Sequence, residues 1–336
     1  MSTAGTENPS GRSLKGLELS EQYYHALVEP AIRETCPEAL PHLAAGLVGE
    51  GSDCFGFDDE VSKDHDWGPR VCLWLQDAAY ERFFHVLSST LASLPDTFRG
   101  ERFALRTPEA AGRQGVLRTG DFYSSFTGSP EGPRSFRDWL SLPESHLAAC
   151  TNGKVFYDGP GRFSMIRHNI LNGCPEDVRR KRLAARIALM AQSGQYNYLR
   201  CRKHGEPVAA FLALSEFLQH GLAAVYYLNR RWMPFYKWAH RGVRELPLLH
   251  ETSDLFLKLT AVTPGTAPAS AETSDSANAA ASMAEELIEE ICALVLKELV
   301  RQDLCLPGDS FLLPHAEQIM QRIGDPDIRR LPLMLG

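Results

Sequence analysis

Between Pro175 and Leu259 apolar residues return at helical spacing with few turn signals. The first 150 residues instead alternate short apolar runs with amphipathic stretches. This change of texture reads as an α/β first part followed by a helical one, an α+β arrangement overall. In the first part, "LAAGLVG" and "RVCLWL" suit buried strands, and "RFALRT" and "GVLRTGDF" alternate as strands do. "LSEQYYHALVEPAIRETC" predicts a helix with Ser20 as N-cap and Glu21 close behind, and "DAAYERFFHVLSSTLASL" predicts another over 77–94.

Pro175 followed by Glu176 and Asp177 predicts a helix start, because acids favour the positive end of the helix dipole. Further helices are expected over 206–229 and 234–245. The segment 262–283, rich in Ala, Ser, Thr and Pro, predicts a flexible linker or surface loop. After it, Ile288, Ile291, Val295 and Leu299 fall on one face of an expected helix. The expected organisation is a disordered tail over 1–15, a first domain over 16–170, a helical domain over 171–261, the linker over 262–283, and C-terminal helices over 284–336.

A net charge of −7 argues against binding nucleic acid through bulk electrostatics. The eight cysteines are scattered, with no C-x-x-C pair, which predicts buried thiols in a reducing compartment. The polar N-terminus and the lack of an unbroken apolar run of about 18 residues predict a cytoplasmic protein with no membrane partner.

The stretch "GLVGEGSDCFGFDDEVSKDHDWGP" from Gly46 to Pro69 concentrates acids between two apolar runs. Asp64 and Asp66 bracket His65 just before the second run, and on a strand their side chains would share one face. Two carboxylates so placed repel each other, and a divalent cation relieves that repulsion. Mg²⁺ suits them, with Mn²⁺ as an alternative, because it takes oxygen ligands and leaves coordination positions open for substrate phosphates. Gly51 and Ser52 end the first apolar run, where a glycine allows close backbone approach to a phosphate and backbone N–H and hydroxyl groups donate to it. The neighbouring Asp53, Asp58, Asp59 and Glu60 are expected to shape the loop, reach an acceptor or remain solvated.

An apolar strand, Gly-Ser, eleven residues and then Asp-x-Asp resembles the nucleotidyltransferase superfamily related to DNA polymerase β. With "GKVFYD" and "YYLNRRWMPFYKW" downstream, the wider match over roughly residues 20–260 resembles a bacterial branch catalogued as domain of unknown function 4037. The resemblance implies an N-terminal polymerase-β-like nucleotidyltransferase domain, a mixed sheet with helices, followed by a C-terminal helical bundle. It makes Gly51 and Ser52 the triphosphate-binding turn and Asp64 and Asp66 the metal ligands and catalytic acids. The third carboxylate that such proteins place on a neighbouring strand is missing from the centre of "GVLRTGDF", where Leu117 and Arg118 stand. Asp121 is the nearest candidate, with Asp158 and Glu144 as outsiders.

Lys237, between Tyr236 and Trp238, and Asn197, Arg200 and Lys203 in "GQYNYLRCRKHG" are candidate polyphosphate contacts. The implied reaction moves an NMP group from an NTP, ATP first among them, to a hydroxyl or similar group of a small-molecule, protein or RNA acceptor. The alternative is a catalytically inactive nucleotide-binding partner protein.

Overall fold

The structure, a computed structural model, describes residues 14–64, 67–95, 97–102, 113–262 and 274–336, and at 63, 64, 102 and 274–281 the backbone alone. Two compact units emerge: the residues up to Pro130 with Ala149–Arg167, and Glu131–Ala148 with His168–Gly336. The whole is an α+β protein, as the change of texture predicts.

The first unit holds a mixed four-stranded sheet. Its strands are β1 (Leu43–Leu47), β2 (Cys72–Leu75), β5 (Gly115–Arg118) and β6 (Lys154–Asp158), while β3 (Thr97–Phe98) and β4 (Glu101–Arg102) form a separate short ladder. The order is β5-β2-β1-β6, with β1 antiparallel to β2 and β6, and β2 parallel to β5. Every residue of β1 and β2 is buried, which is why both read as unbroken apolar runs rather than as alternation. One face packs Leu43, Leu73 and Leu75 with Phe83 and Leu87 of α3 (Asp77–Ser93) and with Tyr24, Val28 and Ile32. On β2, Trp74 stacks on Phe163 at 4.0 Å and meets Phe122 edge-on at 5.4 Å.

Strand directions decide which loops meet. Leu47 pairs with Lys154, and Gly46 with Cys72, which pairs in turn with Gly115. The exit of β1 and the entrances of β2, β5 and β6 therefore share one end of the sheet. Asp77, Thr119 and Asp158 mark the opposite end, about 10 Å away at ~3.3 Å per strand residue.

The N-terminal helical stretch begins at Gly16, so Ser20 is not its N-cap. Ser20 lies inside the helix, and its hydroxyl accepts the Arg70 N–H at 3.1 Å. Of "GVLRTGDF", only Gly115–Arg118 is strand, and α4 (Thr119–Thr127) takes the rest. "RFALRT" lies outside the described residues beyond Arg102.

The second unit is built from helices around α8 (Glu176–Met190) and α10 (Pro207–Leu228), with α9 (Leu199–Lys203), α11 (Tyr236–Val243), α12 (Thr252–Ala261), α13 (Ser274–Arg301) and α14 (Leu313–Gln321). A π-helical stretch, Ala191–Tyr198, follows α8; a Cβ on Gly194 there would lie 2.3 Å from the Phe217 ring, so the close approach to α10 needs glycine. Ile288, Ile291, Val295 and Leu299 are all buried, as their spacing predicts. The expected linker over 262–283 is corrected at its C-terminal part, because α13 already begins at Ser274, where the Ala-rich "SANAAASM" carries high helix propensity; residues 263–273 lie outside the described ones.

Helix α10 is long and apolar enough to cross a membrane, with mean hydropathy 1.5, although Glu216, Gln219 and His220 interrupt it. It nonetheless supplies Leu214, Phe217, Ala224 and Val225 to the core of this unit.

Candidate functional site

The acid-rich loop leaves β1 and returns to β2 at the same end of the sheet. Its first turn is pinned from several sides. Gly49 donates its N–H to Asn152 Oδ1 at 3.0 Å, and Asn152 Nδ2 returns a hydrogen bond to the Gly49 carbonyl at 2.7 Å. Glu50 pairs with Arg113 at 2.9 Å. Gly51 has φ +156°, and a Cβ there would lie 2.5 Å from Asp53 Oδ1 and 3.2 Å from Arg70 Nη2. The turn then closes with the Phe57 N–H on the Ser52 carbonyl at 2.8 Å and the Gly56 N–H on the Asp53 carbonyl at 3.0 Å.

Two of the loop acids, Asp53 and Asp58, are buried, which fits the shaping of the loop and not solvation. Asp53 accepts from Arg70 Nη2 at 2.5 Å, both side chains are 3% exposed, and its other oxygen takes the Cys54 N–H at 2.9 Å. Burial works against the Arg70 guanidinium's charge, but Asp53, with smaller help from Cys54 and Cys72, opposes it, and the group stays above its ordinary pKa. Asp58 accepts the Gly16 N–H at 2.7 Å and Trp67 Nε1 at 3.0 Å, while its carbonyl receives Lys15 Nζ. Asp59 is a turn residue, taking the Ser62 N–H at 3.1 Å. Burial also drives the Cys54 thiol well above its ordinary value and the Cys72 thiol to about 12, so neither is a thiolate nucleophile.

Asp64 ends a 3₁₀ turn, Glu60–Asp64, rather than standing on a strand; β2 begins only at Cys72. The intervening "WGPR" explains the delay: Pro69 has no N–H for a ladder, and the Arg70 N–H is spent on Ser20. Asp66 and the Asp64 side chain lie outside what the structure describes. Among the described residues, no three His, Cys, Asp or Glu side chains gather as a metal site.

The structure does not bring Asp121 to the Gly51-Ser52 turn. It sits in the first turn of α4, at the opposite end of the sheet, exposed and 3.8 Å from Arg118. Arg118 also reaches Asp77 at 3.4 Å and contacts Glu81. Asp158 ends β6 at that same far end and accepts the Ser164 N–H at 2.8 Å. Glu144 belongs to the second unit, buried and paired with Arg186 at 2.8 Å.

Lys237 is exposed near the start of α11, and Arg200 and Lys203 are exposed on α9. Arg200 lies over the Tyr196 ring, 5.8 Å from its centroid, and Asn197 is half-buried within the π-helical stretch. Sequence reasoning missed Arg70 and Asn152. The signal for Arg70 was an arginine opening a buried strand, a place where an unpaired charge is costly.

The family described as Domain of unknown function (DUF4037) matches residues 139–239. That span includes "GKVFYD" and "YYLNRRWMPFYKW" and leaves the acid-rich loop outside. A crystal structure of a nucleotidyltransferase-like protein from Exiguobacterium sibiricum 255-15 is similar over 88% of this chain and 87% of its own, at 13% identity and a TM-score of 0.32. No curated protein matches the chain.

Proposed function

We propose that this protein is a Mg²⁺-dependent nucleotidyltransferase that uses an NTP, ATP first among them. The observation that carries the reading is the Gly51-Ser52 turn: it leaves a buried strand at the end of the sheet where the acid-rich loop begins, and Arg70, Asp53 and Asn152 hold it. A turn fixed in this way presents the triphosphate with a preformed surface and incurs little ordering cost on binding.

Asp53 is tied through both oxygens to Arg70 and the Cys54 N–H, and Asp58 through one oxygen to Gly16 and Trp67, so metal binding would fall to Asp64 and Asp66, whose oxygen donors match the preference of Mg²⁺. Bound there, Mg²⁺ would supply charge neutralisation for the triphosphate. The acceptor oxygen would form a bond to the α-phosphorus as the bond to the bridging oxygen breaks, pyrophosphate would leave with that electron pair, and the acceptor proton would pass to solvent or a base. Lys237, Arg200 and Lys203 enter the proposal as exposed cations open to anionic groups.

The far-end position of Asp121 favours a second reading, nucleotide binding without turnover, because a base toward the acceptor must stand near the α-phosphate. Incubation with Mg²⁺ and each α-labelled NTP, with and without lysate fractions, separates the two. Label transfer with pyrophosphate release supports the transferase. Metal-dependent binding with neither supports the second reading, and no NTP binding overturns both.

A further inference from the structure

The second unit contains a cavity of about 730 Å³ at the start of α8, between the end of α10 and the end of α13. Its wall carries four guanidiniums, from Arg179, Arg180, Arg230 and Arg301, against the single carboxylate of Glu176. Arg179, almost fully buried, forks onto Glu176 with contacts of 2.6 and 3.1 Å and reaches the Tyr227 carbonyl at 3.5 Å. Glu176 in turn receives Arg230 Nη1 at 3.0 Å and lies 3.5 Å from Arg180 Nε. Three cations thus converge on one anion. Burial works to raise the Glu176 carboxyl, but Arg179 and Arg230 hold it below its ordinary value, so it stays ionised.

The pairing leaves donors over. Arg230 uses one N–H on Glu176, and its side chain is 64% exposed. Arg180 Nη1 is held from outside the wall by Asp177 at 3.3 Å and the Arg322 carbonyl at 2.9 Å, while its Nε, facing Glu176 at 3.5 Å, makes no hydrogen bond. Arg301 is held by Glu298 at 2.7 Å, and Gln302 beside it donates to Glu298 and to the Leu228 carbonyl. Arg230 also occupies the left-handed region at φ +53°, an uncommon conformation for arginine, with its N–H on the Tyr227 carbonyl at 3.1 Å. Beside the guanidiniums the wall turns apolar, through Leu228, Pro247 and Leu248.

We propose that this cavity binds the phosphate group of a phosphorylated small molecule, with Arg230 and Arg180 donating to the phosphate oxygens and the apolar wall covering the organic body. Guanidinium forks match phosphate geometry, and a preset array of them loses less side-chain freedom on binding than free surface arginines do. Every residue of the cavity belongs to the second unit, so the proposal does not rest on the nucleotidyltransferase reading.

The test is calorimetric titration of the full chain with phenyl phosphate, inorganic phosphate and phenol, at fixed ionic strength. Phenyl phosphate is expected to bind saturably, at least tenfold more tightly than inorganic phosphate, and phenol not measurably. Arg230→Gly removes the guanidinium while giving φ +53° its preferred residue, so the fold is kept and the melting temperature without ligand stays level or rises. It should weaken phenyl phosphate binding at least tenfold. Ser52→Ala should leave that binding unchanged, which separates this site from the nucleotide turn. Equal affinity in Arg230→Gly and wild type, equal affinity for phenyl and inorganic phosphate, or loss of binding in Ser52→Ala would each overturn the proposal.

Discussion

Replacing Asp53 with Ala tests whether the Gly51-Ser52 turn is held by a buried ion pair. In the wild type the two side chains are each 3% exposed and meet at 2.5 Å. The variant leaves the Arg70 guanidinium with burial alone acting on it, and arginine cannot shed its charge to escape. Removing one partner of such a pair costs about 3–5 kcal/mol. Loss of the hydrogen bond from the Cys54 N–H to Asp53 Oδ1 falls within that range. The double change Asp53→Ala with Arg70→Met should recover at least half of the loss, because a buried pair is itself expensive to desolvate and Arg70 Nε already lies buried without a partner. Urea unfolding at pH 7.5, followed by tryptophan fluorescence, gives the midpoints, and an unchanged slope would locate the effect in stability. A loss under about 1 kcal/mol for the single variant, against the range given for buried pairs, or no recovery in the double, would refute the reasoning.

Asp64→Asn and Asp66→Asn should each abolish Mg²⁺-dependent nucleotide transfer, with the metal-free melting temperature level or raised; a clear drop in that temperature would make these acids structural. Gly51→Ala places a Cβ 2.5 Å from Asp53 Oδ1 at a φ that disfavours side chains, and should cost on the order of 1–3 kcal/mol and weaken ATP binding; a neutral result in both assays counts against a constrained turn. His220 is held to about 4, first by burial and then by Arg186, whereas its ordinary value is 6.5. Between those values the unfolded chain binds the proton and the folded one does not, so stability is present above pH 6.5 and falls as the pH drops toward 4. His220→Gln should flatten that part of the pH–stability curve, and an unchanged curve would refute the assignment.

Much of the fold was legible because the strongest signals are local. An unbroken apolar run such as "LAAGL" reports a strand buried on both faces, and the 288–291–295–299 spacing reports a buried helix face whatever packs on it. Ser20 was misread because a serine that caps a helix and one that accepts a bond from a distant backbone look alike in sequence; its partner, Arg70, is 50 residues away. The Ala-rich start of α13 was misread for the opposite reason. Its composition fits both a linker and a helix, and propensity alone does not choose between them.

The site was less legible because its acids divide by partners that come from elsewhere in the chain. From sequence, Asp53, Asp58, Asp64 and Asp66 form one acidic run. In the fold, Asp53 is tied to Arg70 and Asp58 to Gly16 and Trp67, so part of the run's charge is neutralised or hydrogen-bonded inside the loop itself. A loop that had to offer carboxylates to a cation would otherwise be pushed open by their mutual repulsion. Burying two of them against fixed donors gives the loop a rigid base. The arginine cavity was hidden by the same physics, since its wall is drawn from residues around 176–180, 228–230, 247–248 and 301–304, and no window of the sequence shows them together. The reading that follows can be tested by one comparison: perturbing Asp53 should change stability and nucleotide binding together, whereas perturbing Asp64 or Asp66 should weaken metal-dependent nucleotide binding and abolish transfer with no loss of stability.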